Sequence, residues 1–287
     1  MKRAVLFRCR EDRAIHCFTC SFKCELRPGE TGKCGVRSNI GGDLIQNYYG
    51  IISKVALKKG VSIGLTDDEG MWCVVGTVGC NFKCPSCRYG DFAYENLLDY
   101  RNREITLPDK LIEDMKIKGI KKVAFGFNEP FIQIEYVIDT LSIAKREGFE
   151  TAILTNGFFT KDAFELVNPY VDRYVVYVKA FTSHSFKLYT GNTWRSDLVF
   201  ENILVLKDRN CRFDIATILV SGVNDSVFEI RSVARWILFN LGSDFVWHIY
   251  PFKPTNRFFV YPPMSRDKIL KALDIAVSEG LTRIYLH

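Results

Sequence analysis

Three cysteines stand close together in the first third of the chain, at positions 80, 84 and 87. This Cys-x3-Cys-x2-Cys spacing comes directly after an apolar run from Trp72 to Val78. A buried strand that ends in a short cysteine-rich loop can present several thiolates to one metal centre. Four thiolates close an iron–sulfur cluster completely, so three thiolates on a four-iron cluster would leave one iron open. Since an open position on a metal is typical of a reactive site, the spacing predicts metal-dependent chemistry at this loop.

The other residues of the loop favour a metal centre over a packed core. Gly79 allows a sharp backbone turn, and Pro85 fixes one φ angle inside the loop. We expect the charge of Lys83 to help keep the thiols deprotonated. Two alternatives remain open from the residues alone: a structural zinc site completed by a distant ligand, or three buried thiols.

A second group of cysteines lies near the start of the chain, at Cys17, Cys20, Cys24 and Cys34. So short a segment has little hydrophobic core of its own, and a bound metal would supply folding free energy. Four thiolates suit either a zinc site or an iron–sulfur cluster, and the spacing does not distinguish them. Reduced thiols that are merely crowded together are the remaining alternative.

Length and composition indicate a globular protein of one large domain, or a domain with an appendage. The chain has 287 residues, 47% of them hydrophobic, and its 39 basic and 33 acidic side chains give a net charge of +6. This mild, scattered charge is typical of a solvated surface, and nucleic-acid binding is only the second interpretation. The first apolar run is too short for a signal peptide, and no apolar stretch reaches membrane-spanning length. We therefore expect a cytoplasmic protein with no membrane partner.

From Trp72 onward, short apolar runs alternate with segments of helical periodicity. The runs are rich in Val, Ile and Phe, as in a parallel sheet covered by helices on its faces. The predicted strands are 72–78, 121–127, 149–154, 172–178, 212–219, 245–250 and 282–286. The predicted helices are 109–118, 131–147, 160–168, 197–208, 225–240 and 265–279, with Thr160 and Asp225 as N-caps. The pattern predicts an α/β fold, either a parallel barrel or an open parallel sheet.

Polar or turn-forming residues follow five of the predicted strands. In parallel architectures, ligands bind at the carboxyl ends of the strands, so we expect the functional site at this edge. The segments concerned are Asn128-Glu129-Pro130, Thr155-Asn156-Gly157, Lys179, Ser221-Gly222-Val223-Asn224-Asp225, and the end of the strand that carries His248.

The motif Cys80-x3-Cys84-x2-Cys87, preceded by Thr77-Val78-Gly79, resembles that of the radical S-adenosylmethionine (radical SAM) enzymes. Within them it is most similar to the pyruvate formate-lyase-activating-enzyme-like branch and to the AmmeMemoRadiSam-system radical SAM proteins. The resemblance extends from about Cys17 to Pro251. It implies an incomplete (β/α)6 barrel over residues 71–287, preceded by a Cys-rich metal-binding segment and bridge over residues 1–70.

The resemblance also implies the cofactors and their ligands. A [4Fe–4S] cluster on Cys80, Cys84 and Cys87 would bind SAM and cleave it reductively to a 5′-deoxyadenosyl radical. The residues implied in SAM binding are Gly126, Asn128, Glu129, Thr155, Asn156, Lys179, Thr217 and His248. Thr217 is expected to face the barrel lumen, and Lys179 to pair with the SAM carboxylate.

Three positions depart from the activating enzymes of this branch. Leu154 and Tyr177 stand where those enzymes often carry aspartates of a proposed cation site, and Ser86 replaces an aromatic residue before the last cysteine. We therefore predict a radical SAM enzyme with an unidentified substrate, which a ferredoxin or flavodoxin would reduce; a protein is one candidate substrate. The alternatives are a glycyl-radical-enzyme activase, an RNA-modifying radical SAM enzyme, or a non-catalytic iron–sulfur protein for electron transfer or binding.

Overall fold

The computed structural model of the chain describes residues 1–254 and 261–287. Its N-terminal part contains two small antiparallel sheets of three strands each, in the orders β1-β6-β5 and β2-β3-β4. The strands are β1 (Lys2–Arg3), β2 (Phe7–Cys9), β3 (Ile15–Cys17), β4 (Glu25–Leu26), β5 (Arg37–Ile40) and β6 (Asp43–Gln46). Strands this short bury few side chains, so this N-terminal segment depends on contacts with the rest of the chain.

The main sheet has eight strands, and their spatial order is their order in the sequence. They are β7 (Lys54–Lys59), β8 (Met71–Gly76), β9 (Lys122–Phe125), β10 (Glu150–Thr155), β11 (Arg173–Tyr177), β12 (Phe213–Leu219), β13 (Trp247–Pro251) and β14 (Ile284–Leu286). All neighbours from β8 to β14 are parallel, and β7 pairs antiparallel with β8. The predicted parallel α/β fold is confirmed. The bridge before residue 70 contributes β7 to this sheet.

Helices connect the parallel strands. They are α1 (Pro108–Ile117), α2 (Ile134–Arg146), α3 (Lys161–Val167), α4 (Ser183–Thr190), α5 (Asp197–Asp208), α6 (Val227–Leu241) and α7 (Arg266–Ser278). Thr160 caps α3 as predicted, but the cap of α6 is Ser226, whose hydroxyl accepts the Glu229 N–H, rather than Asp225. In the described residues, no helix combines the length and apolar character needed to cross a bilayer.

The two faces of the main sheet have different partners. Ile215 and Leu219 of β12 pack among the helices in the largest core cluster. Ala216, on the opposite face, belongs to a second cluster with strand residues and with Ile63 and Leu65. The loop before β8 therefore fills the concave face of the sheet, which is the lumen of the incomplete barrel.

Polar contacts fix this loop at the amino ends of the strands. The Thr66 hydroxyl donates to Asp214 Oδ1 at 2.6 Å, and Arg173 donates to the Thr66 carbonyl at 2.8 Å. Asp68 accepts from the Trp72 indole at 3.0 Å and from Lys122 Nζ at 2.9 Å. The amino end of the barrel is thus closed, and the carboxyl edge remains as the place for a site.

A buried ion pair joins the N-terminal segment to the barrel. Arg37 on β5 and Glu135 on α2 each have side chains only 1% exposed, and Arg37 Nη1 lies 3.0 Å from Glu135 Oε1. Arg37 Nε also donates to the Ile132 carbonyl at 2.8 Å, and the Val5 N–H donates to Glu135 Oε1 at 3.0 Å. Since every charge has a partner, this contact fixes the orientation of the segment against α2.

Replacement of Glu135 by Leu should destabilise the fold by about 3–5 kcal/mol, because the Arg37 charge stays buried without its partner. Urea unfolding under anaerobic conditions would measure this. The matched control is Asp197→Leu, which breaks the exposed pair with Arg195 and should cost under ~1 kcal/mol. Equal losses in the two variants would contradict the structural role given to the buried pair.

Candidate active site

The loop from Gly79 to Cys87 follows β8 at the carboxyl edge of the main sheet. Its three thiols are free and partly buried. Backbone N–H groups point at two of them: that of Phe82 at Cys80 and that of Tyr89 at Cys87 Sγ, the latter at 3.4 Å. The Cys84 carbonyl accepts from the Cys87 N–H at 2.9 Å. The loop is therefore folded back on itself, with its sulfur atoms supported by backbone donors.

Two glycines allow neighbouring segments to approach this loop closely. Gly79 has φ +91°, and a Cβ there would lie 2.3 Å from Val36 Cγ1 and 3.0 Å from the Cys34 carbonyl oxygen. Gly191, just after α4, has φ +75°, and a Cβ there would lie 2.5 Å from the Lys83 carbonyl oxygen. The loop is thus packed between the N-terminal segment and the end of α4.

Asn128 ties the end of β9 to the start of the cysteine loop. Its side-chain oxygen accepts from the Thr77 N–H at 3.1 Å, and its amide nitrogen donates to the Gly79 carbonyl at 2.7 Å and to the Thr77 hydroxyl at 3.0 Å. All three hydrogen bonds of the Asn128 side chain are made to other groups of the protein. The structure therefore gives Asn128 the role of positioning the loop that carries Cys80.

Glu129 is buried, with 1% of its surface exposed, and joins the ends of β9 and β10. One carboxylate oxygen accepts from the Phe131 N–H at 3.2 Å and the Thr155 hydroxyl at 2.9 Å, and the other accepts from the Asn156 N–H at 2.7 Å. Burial raises the pKa of Glu129 to about 7, although these donors oppose the shift.

A chain of amides continues from Glu129 to the cysteine loop. The Asn156 side chain donates to Asn81 Oδ1 at 2.7 Å, and Asn81 follows Cys80 directly. Asn192 donates to the Asn81 carbonyl at 2.7 Å, whereas its own side-chain oxygen is buried with no protein partner among the described residues. No pattern in the sequence points to Asn192, because α4 before it is not predicted from the sequence.

Lys179 supplies positive charge to the site. Burial raises the pKa of Cys84 to about 12 and also raises the pKa of Cys87. The positive charge of Lys179 opposes the rise at both thiols. The sequence analysis predicts that Lys83 stabilises the thiolates, but Lys83 is exposed. Lys179 Nζ lies 5.4 Å from the Tyr177 ring centroid and 5.6 Å from that of Tyr189. Within the described parts of the chain it forms no ion pair, so it can accept an anionic ligand.

The turn after β12 supports Lys179 from behind. The Asn224 amide donates to the Lys179 carbonyl at 2.7 Å and to the Ile218 carbonyl at 3.0 Å, and its oxygen accepts from the Val220 N–H at 2.7 Å.

Gly126, at the end of β9, lies close to Leu154. A Cβ at position 126 would lie 3.1 Å from the Leu154 Cβ, so glycine leaves space there. Six of the eight residues expected to bind a cofactor, Lys179 among them, thus lie along one edge.

Two predicted site residues lie elsewhere. Thr217 shares the helix-covered face of β12 with Ile215 and Leu219, and its hydroxyl accepts from the Trp247 indole at 3.0 Å. Its predicted lumen orientation is wrong, because side chains alternate along the strand and the neighbouring Ala216 is the one that faces the lumen.

His248 is a fully buried histidine near the amino end of the lumen. Its Nε2 lies 3.0 Å from the Thr66 hydroxyl and its Nδ1 lies 2.9 Å from His287 Nε2. Burial lowers the pKa of His248 to about 3, so the ring is neutral at pH 7. Both ring nitrogens are thus hydrogen-bonded within the protein, Nε2 to Thr66 of the loop before β8 and Nδ1 to His287. Among the described residues, the structure does not bring His248 together with the cysteine loop.

The donor set at the cysteine loop fits an iron–sulfur cluster better than a single ion. In residues 1–254 and 261–287, no three His, Cys, Asp or Glu side chains converge as the ligands of one metal ion would. A cluster needs no such convergence, since each thiolate binds a different iron. Three thiols beside a cation and a row of strand-end polar groups could hold a cluster with one open iron and a charged ligand on it.

Comparisons with known proteins agree with this geometry. The radical SAM superfamily matches residues 74–234, a region that includes all three cysteines of the loop. An uncharacterized protein of Methanocaldococcus jannaschii is 23% identical over 100% of this chain and 85% of its own length. The pyruvate formate-lyase-activating enzyme of Clostridium pasteurianum is 27% identical over 61% of this chain and 73% of its own.

The fold has a counterpart among solved structures. A radical SAM methyltransferase from Sphaerobacter thermophilus superposes with a TM-score of 0.60 over 76% of this chain and 66% of its own, at 17% identity. The family match covers more than half of the chain. The chain therefore belongs to the radical SAM superfamily and is similar to pyruvate formate-lyase-activating enzymes: it is an enzyme that uses a [4Fe–4S] cluster to cleave SAM reductively.

Proposed function

We propose that Cys80, Cys84 and Cys87 hold the [4Fe–4S] cluster and that Lys179 binds the carboxylate of SAM beside it. When bound, the cluster supplies the electron that breaks a carbon–sulfur bond of SAM and leaves a 5′-deoxyadenosyl radical. The observation that supports this most is the position of Lys179: its charge acts on Cys84, Cys87 and the buried Glu129, and it forms no ion pair within the described residues.

The strand-end residues divide into those that can touch SAM and those that position others. Asn128 and Glu129 use their side chains within the protein, so their part is to fix the edge at Gly126 and the loop at Cys80. Thr155 and Asn156 bond to Glu129 and so belong to the same support. The amino group of SAM would then donate its N–H groups to backbone carbonyls of this edge, and its nitrogen lone pair would be left for the open iron.

The protein substrate of an activating enzyme is the substrate class that the relatives favour for this chain. The curated relative from Clostridium pasteurianum is named for the activation of another enzyme. The main sheet ends at β7 on one side and β14 on the other, and these strands do not pair with each other. We propose that a polypeptide segment reaches the site at the carboxyl edge of this incomplete barrel.

All ten cysteines are free thiols. Free thiols persist in a reducing compartment such as the cytoplasm, where a ferredoxin or flavodoxin would serve as the reductant.

Replacement of Cys80, Cys84 or Cys87 by Ala should abolish SAM cleavage, because the cluster loses one of its three anchors. Anaerobically reconstituted variants would be given SAM and dithionite, and 5′-deoxyadenosine and methionine would be measured. Cys9→Ala is the control, since Cys9 is an exposed thiol in the N-terminal segment. Undiminished cleavage by any of the three variants would refute the assignment.

Replacement of Lys179 by Met should weaken SAM binding about 10- to 100-fold, the cost of one charge-assisted hydrogen bond of ~1.5–3 kcal/mol. Calorimetry on the cluster-loaded protein measures the dissociation constant. Lys161→Met, at an exposed position at the start of α3, is the matched control and should bind SAM like the unmodified enzyme. Equal affinities in all three proteins would remove Lys179 from the site.

The substrate class can be tested by isotope transfer. The enzyme would be incubated with SAM, reductant and a lysate from cells grown in deuterated medium, separated into protein, RNA and small-molecule fractions. We expect deuterium in 5′-deoxyadenosine only with the protein fraction, because the radical takes a hydrogen atom from its substrate. Transfer from the RNA or the small-molecule fraction would contradict a protein substrate.

A further inference from the structure

The N-terminal segment brings four thiols together beside the cysteine loop: those of Cys17, Cys20, Cys24 and Cys34. We propose that they hold a second iron–sulfur cluster, which passes electrons to the catalytic cluster. This inference rests on the proposed function of the Cys80 loop.

The four thiols are close in space as well as in sequence. Three are buried, with Cys17 6% exposed and Cys20 and Cys34 each 8% exposed. A negative charge on Cys20 would be repelled by each of the other three. A Cβ at Gly32 would lie 3.7 Å from Cys24 Sγ and 3.8 Å from Cys34 Sγ, so glycine leaves room between these sulfurs. All four are free thiols rather than disulfides.

The backbone around these sulfurs repeats the arrangement of the catalytic loop. The N–H of Phe22 points at the Cys20 sulfur and the N–H of Val36 at the Cys34 sulfur, each two residues further along the chain. The same offset of two residues relates Phe82 to Cys80 and Tyr89 to Cys87. Backbone donors stabilise a thiolate, which is the form that binds metal.

Burial raises the pKa of Cys24 and Cys34, and further groups of the segment oppose that rise. The N–H of Lys33 points at the Cys24 sulfur, and the charge of its ammonium acts on the same thiol. The Lys33 charge would offset part of the negative charge that deprotonation creates, whereas the Arg37 guanidinium near Cys34 is already paired with Glu135.

The geometry favours a cluster over zinc. A structural zinc ion needs four ligands in a tetrahedron around one point. Among the described residues, neither cysteine group has three ligands arranged around one point. This arrangement is not that of a single zinc ion, whereas thiolates that each bind a separate iron need not meet at one point.

The second group touches the catalytic loop directly. The Cys34 carbonyl oxygen would lie 3.0 Å from a Cβ at Gly79, the residue before Cys80. The Phe158 carbonyl accepts from the Ser21 N–H at 3.1 Å and from the Asn81 amide at 3.3 Å, so one oxygen joins residues next to Cys20 and to Cys80.

Aromatic rings fill the space between the same two segments. The Phe158 ring centroid lies 5.0 Å from that of Phe22 and 5.2 Å from that of Phe82. Phe22 lies between Cys20 and Cys24, and Phe82 between Cys80 and Cys84. The two centres would therefore be neighbours, separated by packed side chains and a few backbone atoms.

The electron balance of the relay is simple. A low-potential one-electron protein donor of the ferredoxin class reduces the second cluster, which is reoxidised as it reduces the catalytic cluster. The electron then enters the carbon–sulfur bond of SAM. The second cluster ends each cycle in its starting state, and no proton or ligand is gained or lost there.

Its existence can be tested without catalysis. A variant with Cys80, Cys84 and Cys87 all replaced by Ala should still take up iron and sulfide and should show an iron–sulfur electron paramagnetic resonance signal when reduced. Adding Cys20→Ala and Cys34→Ala should remove that signal, whereas adding Cys9→Ala should not. A triple variant that binds zinc or no metal would overturn the proposal, even if the unmodified protein cleaves SAM.

Its role can be tested with Cys24→Ser, the mildest change because Cys24 is the least buried of the four. With a ferredoxin-class donor, 5′-deoxyadenosine formation should fall about tenfold or more. With dithionite, which reduces the catalytic cluster directly, formation should stay near that of the Cys9→Ser control. An unchanged rate with the protein donor would overturn the relay. Loss of cleavage with dithionite would also overturn it, since the four cysteines would then be needed for the catalytic centre itself.

Discussion

The buried carboxylate of Glu129 is the interaction on which the site depends. It receives three hydrogen bonds, two from the end of β10 and one from the first turn after β9. A buried carboxylate is costly unless its oxygens are satisfied, so these donors have little freedom to move. Through Asn156 and Asn81 the same network reaches the residue after Cys80. The cysteine loop therefore has its position set by the sheet rather than by its own short sequence.

Charge is arranged around this fixed edge in a way that suits its chemistry. The thiols of Cys84 and Cys87 and the buried Glu129 carboxylate lie near Lys179. Metal binding requires the thiols to lose their protons, and the bound iron would compensate the resulting charge. We propose that the ammonium of Lys179 then binds the carboxylate of SAM. At the opposite end of the barrel, the loop before β8 closes the lumen through Thr66, Asp68 and their buried partners, so the chemistry is confined to the carboxyl edge.

The sequence predicted those parts of the structure that depend on local pattern. The strands of the parallel sheet are continuous apolar runs, and the cysteine loop has its own spacing, so both could be located without a fold. Helix α4 was missed because Ser183–Thr190 is short and mostly polar. The orientation of Thr217 and the partners of His248 depend on register and on a loop about 180 residues earlier, which periodicity does not encode. Lys83 is the lysine predicted to stabilise the thiolates because it is the nearest one in sequence. The proximity of Lys179 depends on the fold, which brings the end of β11 to the thiols.

The most direct test of the central claim is electron–nuclear double resonance on the reduced, cluster-loaded enzyme with SAM labelled by ¹⁵N in its amino group. A cluster anchored by only three thiolates has one iron free to bind that nitrogen. We expect a ¹⁵N hyperfine coupling from SAM bound directly to the cluster. A fully loaded cluster that binds SAM without any such coupling would show that the fourth iron is already ligated, and it would contradict the account.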